Sequence, residues 1–187
     1  NIQSVHESQV IAWDEEGVRV VGAGARLSEE ALVIRIQKSY AHPGGVHIHR
    51  ISWRGKSVVY ATDTEGYVGM DRRLVAFARN ADVLIHDAQY SEEHYRGQLA
   101  GFPATQGYGH STAAMAGEVA ASTETGKLVL FHHDPAYSDE MVAAQENIAK
   151  EIFPDSRAAY EGLEINLISS SFGRGVMERE VQYAKNG

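Results

Sequence analysis

The chain has 187 residues, no cysteine and a formal net charge of −8, from 25 acidic against 17 basic side chains. That length suits one ordinary domain with a real core, and 43% hydrophobic with 22% charged residues excludes a disordered chain. The acidic balance argues against a broad phosphate-gripping surface, the lack of cysteine removes disulfides, thiolate ligands and cysteine nucleophiles, and no apolar run approaches the roughly 20 residues of a membrane span.

Taken in chain order, Val18 to Val21 and Ala31 to Ile36 are predicted as short strands around a Gly-containing polar turn. His42-Pro43-Gly44-Gly45 is a loop by composition. Val46 to Trp53 alternates, Arg54-Gly55-Lys56 turns, and Ser57 to Ala61 is wholly apolar after its first residue, so a hairpin with a central second strand is expected. Asp71 is predicted to cap a helix to about Asn80, and Ser111 to cap one over Thr112 to about Ser122. Ala81 to Ile85 and Lys127 to Phe131 read as buried strands. Ser138 or Asp139 caps a helix whose stripe is Met141, Gln145, Ile148 and Ile152. Leu163, Ile165 and Leu167 alternate with polar residues as in a half-buried strand, and Ser169 to Gly187 reads as a polar tail, mobile or in contact with another copy in a homo-oligomer.

The order, a hairpin and then alternating strands and helices, predicts a layered α/β fold in a single domain over 1–187. Polar residues fall just past the end of each buried strand: Asp63 after Ala61, His86 and Asp87 after Ile85, His132 to Asp134 after Phe131. Ligand and metal sites collect at such strand ends in open α/β sheets. Imidazole and carboxylate are donors suited to Zn²⁺, Mn²⁺ or Fe²⁺, and a carboxylate can bridge two ions. Each residue also has a plain alternative. His42 suits a structural loop, Asp63 a turn cap, His110 a position before a helix, and His132-His133 one buried and one exposed ring.

Ser39-Tyr-Ala-His42-Pro-Gly-Gly-Val, Gly55-Lys-Ser-Val-Val-Tyr-Ala-Thr-Asp63-Thr, Ala81-Asp-Val-Leu-Ile-His86-Asp87-Ala88, Gly109-His110-Ser-Thr and Leu128-Val-Leu-Phe-His132 stand in this order. Together they resemble the metallo-β-lactamase superfamily, in the branch of ribonuclease Z and related phosphodiesterases, over about residues 39–167. The resemblance implies the C-terminal half of an αββα sandwich and a hydrolase using a dinuclear metal-activated water. It implies His42, Asp63 and His132 as metal ligands, with Asp63 bridging two divalent ions, zinc first and manganese or iron as substitutes. His110 matches the histidine that protonates the leaving group or holds the phosphate. Asp87 stands where the branch has the glutamate that orients that histidine, one methylene shorter.

The family's His-x-His-x-Asp-His cluster is found nowhere in 1–187; His6-Glu7-Ser8 does not fit it, and His47-Ile-His49 lacks the Asp-His and lies after His42. With Asn1 in the place of an initiator Met, the expectation is that the first half of the sandwich is carried elsewhere; the alternative is a degenerate half-fold kept for binding. The expected substrate is a small-molecule or nucleotide phosphodiester, with RNA disfavoured by charge and no membrane partner. An ester, thioester or lactone hydrolase of the same fold and a metal-free binding domain remain as alternatives. The absence of cysteine fits a reducing, cytoplasmic setting. Tyr90 to Tyr108 is aromatic enough to line a pocket mouth or to pack as an ordinary surface loop.

Overall fold

A computed structural model describes residues 4–66 and 70–167. The tail predicted from Ser169 lies outside the described residues. Arg54 and Gly55, both at positive φ (48° and 74°), form a two-residue turn. Positive φ at both positions suits the right-handed twist of the strands it joins. Those strands are β4 (Val46–Trp53) and β5 (Lys56–Ala61), antiparallel as expected. Ahead of them lie β1 (Gln9–Asp14), β2 (Gly17–Gly22) and β3 (Leu32–Ser39). After them come α1 (Arg72–Ala78), β6 (Val83–Asp87), α2 (Glu92–Tyr95), α3 (Ala113–Thr123), β7 (Lys127–Phe131), α4 (Asp139–Ile152) and β8 (Ser156–Ala158).

The eight strands of the described residues join one sheet in the order β2-β1-β3-β4-β5-β6-β7-β8, antiparallel up to β5 and parallel from β5 to β8. β5 is therefore central, as its apolar composition requires.

The helices cover one sheet face. Ile48, Val59, Leu84, Leu128 and Leu130 of that face are at most 1% exposed and form one core with Leu74 of α1, Ala116 and Val119 of α3 and Ala149 of α4. The small residues of α3 let it approach closely: a Cβ at Gly117 would lie 3.1 Å from Ile152 Cβ. The opposite face, which carries no helix among the described residues, is also apolar. Val20, Ile11, Ile34, Ile51, Val58 and Val83 align in one row across six strands, and Tyr60, Ile85 and Val129 in the next. Tyr60 and Phe131 on this side remain over a third exposed, and Trp13 and Trp53 about half or more. An exposed apolar area of this extent is the mark of an interaction surface.

Several expectations need correction. Thr112, not Ser111, caps α3, accepting from Met115 N at 3.3 Å, because the Ser111 hydroxyl is already donated to Thr64 O at 2.6 Å. In α4, capped by Ser138, the buried residues are Gln145 and Ala149; Ile148 and Ile152 stay over a third exposed, although Ile152 packs on Gly117 of α3. Residues 163–167 keep their alternation in burial but join no strand ladder. Leu163, Ile165 and Leu167 instead line one cavity with Val58, Tyr60 and Ile85 on the helix-free face. β6 extends through Asp87, so His86 lies within the strand and faces the helices. Among the described residues, no helix is long and apolar enough to cross a membrane.

His86 is 1% exposed, with Nδ1 2.8 Å from Asp87 O. Burial holds this imidazole below its usual range, against the opposing hydrogen bond and charge of Asp87. The unfolded chain takes up a proton near pH 6.5 that the folded chain resists, so this residue lowers stability as pH falls below that value, by up to about 1.4 kcal/mol per pH unit. Urea unfolding midpoints compared at pH 7.5 and 5.5 should fall for the wild type and fall less for His86→Leu. Parallel pH slopes for the two proteins would contradict this assignment.

Candidate metal centre

Just past β5 and just past β7 the chain passes through a left-handed residue. Asp63, two positions past β5, has φ 54°, and His132, directly after β7, has φ 62°. Non-glycine residues in this region are uncommon, and such strain collects at functional sites. The turns bring Asp63 Oδ1 to 3.1 Å from His132 Nε2, with both side chains about 40% exposed. His110, preceding α3, brings Nδ1 to 3.9 Å from the same Asp63 oxygen. One ligand atom from each of Asp63, Asp87, His110 and His132 lies within 4.8 Å of all the others.

Asp87 is fully buried at the end of β6. Its Oδ2 accepts from Thr64 N at 3.3 Å and pairs with His110 Nδ1 at 2.7 Å. Its Oδ1 accepts from Ser111 N at 3.0 Å and Gln89 N at 3.2 Å. Four donors on one carboxylate fix its orientation and hence that of the His110 ring. The shorter aspartate thus still reaches the histidine. Burial disfavours the charged His110 ring, but the Asp87 hydrogen bond and the charges of Asp87, Asp63 and Glu65 outweigh it and raise its affinity for a proton. The His110 ring is also enclosed by other rings: His132 at 4.9 Å, His42 edge-on at 5.3 Å and Tyr90 edge-on at 5.9 Å between centroids.

His42 is beside this group but not within it. Its Nδ1 lies 2.9 Å from Pro43 O, so the ring is turned onto its own loop. The predicted site residues Asp63, Asp87, His110 and His132 are therefore brought together directly, and His42 only through its ring contact with His110. His47 and His49 are strand residues of β4, opposite Lys38 and Ile36. In the aromatic insert, Tyr90 and Tyr95 are buried and Tyr108 is 55% exposed, so most of it packs rather than forming a pocket mouth.

One residue of the site is missing from the motifs. Glu65, 3% exposed, accepts from Tyr95 Oη at 2.6 Å, Gly107 N at 2.8 Å and Gly109 N at 3.0 Å. Its own backbone N–H donates to Ala41 O at 3.0 Å. Its only sequence signal is its position two residues after Asp63. The donors it serves come from an insert about 40 residues downstream, which no local pattern links to it.

A carboxylate and two imidazoles gathered at one end of the sheet suit a divalent transition ion. The local chemistry fits such a metal, although a dinuclear site needs more donors than these.

Comparison with known proteins bears on the family and the fold. Residues 1–133 match the family model described as a beta-lactamase superfamily domain. The ribonuclease Z of Thermoplasma acidophilum is 31% identical over 147 residues, covering 76% of this chain and 43% of that protein. That of Picrophilus torridus is 38% identical over 115 residues, covering 60% and 32%. The chain thus spans less than half the length of these curated relatives. Among solved structures, the metallo-beta-lactamase fold protein YhfI from Bacillus subtilis superposes with a TM-score of 0.55 at 21% identity, over 72% of this chain and 48% of that one. At that identity the likeness is one of fold, and it agrees with the mixed eight-stranded sheet seen here. With its family model matched over residues 1–133, the chain belongs to the beta-lactamase superfamily domain family.

Proposed function

We propose that this protein is a metal-dependent hydrolase acting on a phosphodiester, and that its site is completed by a second αβ layer packed on the helix-free sheet face. The observation that carries the reading is the buried Asp87–His110 pair set against Asp63 and His132. Asp63 and His132 would hold the metal, joined by His42 through the ring nitrogen that its contact with Pro43 O leaves free. Bound there, a pair of divalent ions, zinc or else manganese or iron, supplies water activation and neutralises charge developing at phosphorus. Asp87 engages Nδ1 of His110, which leaves the other ring nitrogen to hold a proton for the leaving oxygen. Asp87 sets the tautomer and orientation and is a positioning residue in this scheme.

The relatives named ribonuclease Z make RNA a candidate substrate, but a net charge of −8 favours a small or nucleotide phosphodiester. The test is a substrate panel with added Mn²⁺ or Zn²⁺ on the protein bearing its second layer. It contains bis-p-nitrophenyl phosphate, a short RNA, a glutathione thioester and an acyl lactone. Phosphodiester turnover ahead of the others is expected. Faster thioester or lactone hydrolysis would transfer the proposal to acyl chemistry. Absence of stoichiometric metal, with a melting temperature unmoved by chelator, would leave a binding domain instead.

A further inference from the structure

Asp63, His42 and His110 come from three separate loops, and one buried residue links them, through its backbone N–H on the His42 side and its carboxylate on the His110 side. Glu65 lies in the loop of Asp63, and its N–H to Ala41 O ties that loop to the residue preceding His42. Its carboxylate takes the N–H groups of Gly107 and Gly109, the latter directly preceding His110. Tyr95 Oη, from α2, closes the arrangement at 2.6 Å. Gly109 in turn packs on the His42-Pro43 loop so closely that an added Cβ would be 2.7 Å from Pro43 Cδ. Ser111 reinforces the same junction, accepting from Gly66 N at 2.9 Å and donating to Thr64 O at 2.6 Å.

A buried carboxylate that merely filled space would be replaced at little cost by an apolar group, because burying a charge is unfavourable unless it is well satisfied. Here three donors converge on it, and two of them are backbone groups of the segment that ends at His110. Asp87 orients the His110 ring and holds the backbone just after it through Ser111 N, whereas Glu65 holds the backbone just before it through Gly107 N and Gly109 N.

We infer that Glu65 is a positioning residue of the hydrolase site, locking the 105–110 segment to the Asp63 and His42 loops so that His110 stays on Asp87. The inference rests on the hydrolase reading for its functional meaning, but its structural content is measurable without turnover. Glu65→Gln retains the shape but replaces one acceptor with an amide nitrogen that cannot accept, so either Gly109 N or the Tyr95–Gly107 pair loses its partner. Tyr95→Phe removes one donor and keeps both loop bonds.

The test is hydrogen exchange by NMR on the full chain, with and without Zn²⁺, following the Gly107 and Gly109 amides and the His110 Nδ1 proton. In Glu65→Gln all three should exchange at least about tenfold faster, and Tyr95→Phe should speed them together by less. Should Glu65→Gln fail to fold, Tyr95→Phe alone decides the matter. Faster Gly107 and Gly109 exchange with an unchanged His110 proton overturns the inference, since the loop would then be held without positioning the histidine. In the active protein, kcat should fall by roughly tenfold with KM little changed. Combined with His110→Ala, Glu65→Gln should cost nothing further; additive losses would also overturn it. A wild type without metal or turnover would refute the hydrolase reading while leaving the exchange result to judge Glu65.

Discussion

His110→Ala should lower turnover of bis-p-nitrophenyl phosphate by roughly 10²–10⁴-fold, the usual contribution of a positioned general acid, with bound Mn²⁺ or Zn²⁺ unchanged. The physical basis is the isolation of this ring's role from the others. Asp63 and His132 face each other at 3.1 Å and are about 40% exposed, as open ligands are. The His110 side chain is only 12% exposed and is tied through Nδ1 to a fully buried carboxylate. A ring held this way cannot rotate to serve water at large; it presents one nitrogen in one direction. Removing it leaves Asp87 with its backbone donors from Thr64, Gln89 and Ser111, so the strand end should stay in place. Steady-state rates with parallel metal analysis check this. Equal rates for wild type and variant would remove His110 from the mechanism, and loss of metal would make it a ligand rather than an acid.

Gly109→Ala is the second large effect. Gly109 has φ +96°, where a side chain is strained, and its Cβ would overlap the His42 ring and sit 2.9 Å from His42 Cα. Left-handed strain of roughly 1–2 kcal/mol and overpacking of roughly 1–3 kcal/mol together predict a loss of about 2–5 kcal/mol. At roughly 2–4 °C per kcal/mol for a chain of this size, the melting temperature should drop by about 4–20 °C. The control is Gly107→Ala, with φ +83° but open space around the added Cβ. It should show the strain cost alone and keep its metal affinity, whereas Gly109→Ala displaces His42 and weakens metal binding. Equal losses in the two variants would show that the contact with His42 is not what excludes a side chain.

Much of the architecture was legible locally. The β4–β5 hairpin followed from alternation and from Arg54-Gly55, and β7 was predicted to the residue from its apolar run between turn residues. α1 was legible from Asp71, whose carboxylate accepts from Arg73 N at 2.8 Å as a helix cap should. β8 was not predicted, because three residues, Ser156-Arg157-Ala158, carry no periodicity and become a strand only by pairing with β7. The reverse held for 163–167, whose alternation was real but served contact with a sheet face rather than a ladder. The α3 cap moved by one residue because Ser111 was claimed by Thr64 O, a partner 47 positions away.

By itself the sequence determined the layered α/β order, the central β5 and the donor types at the strand ends. These depend on side-chain periodicity and on residue chemistry, which are local. Only the tertiary structure decided that Asp63 and His132 meet through paired left-handed turns, that Asp87 reaches His110 despite its shorter side chain, and that His42 is turned aside onto Pro43 O. It alone disclosed that the Glu65 carboxylate gathers the Gly107 and Gly109 amides, and which rows of residues make up the helix-free apolar face. Both arise from contacts between segments far apart in the chain, and hydrogen bonds and packing of that range leave no periodicity to read.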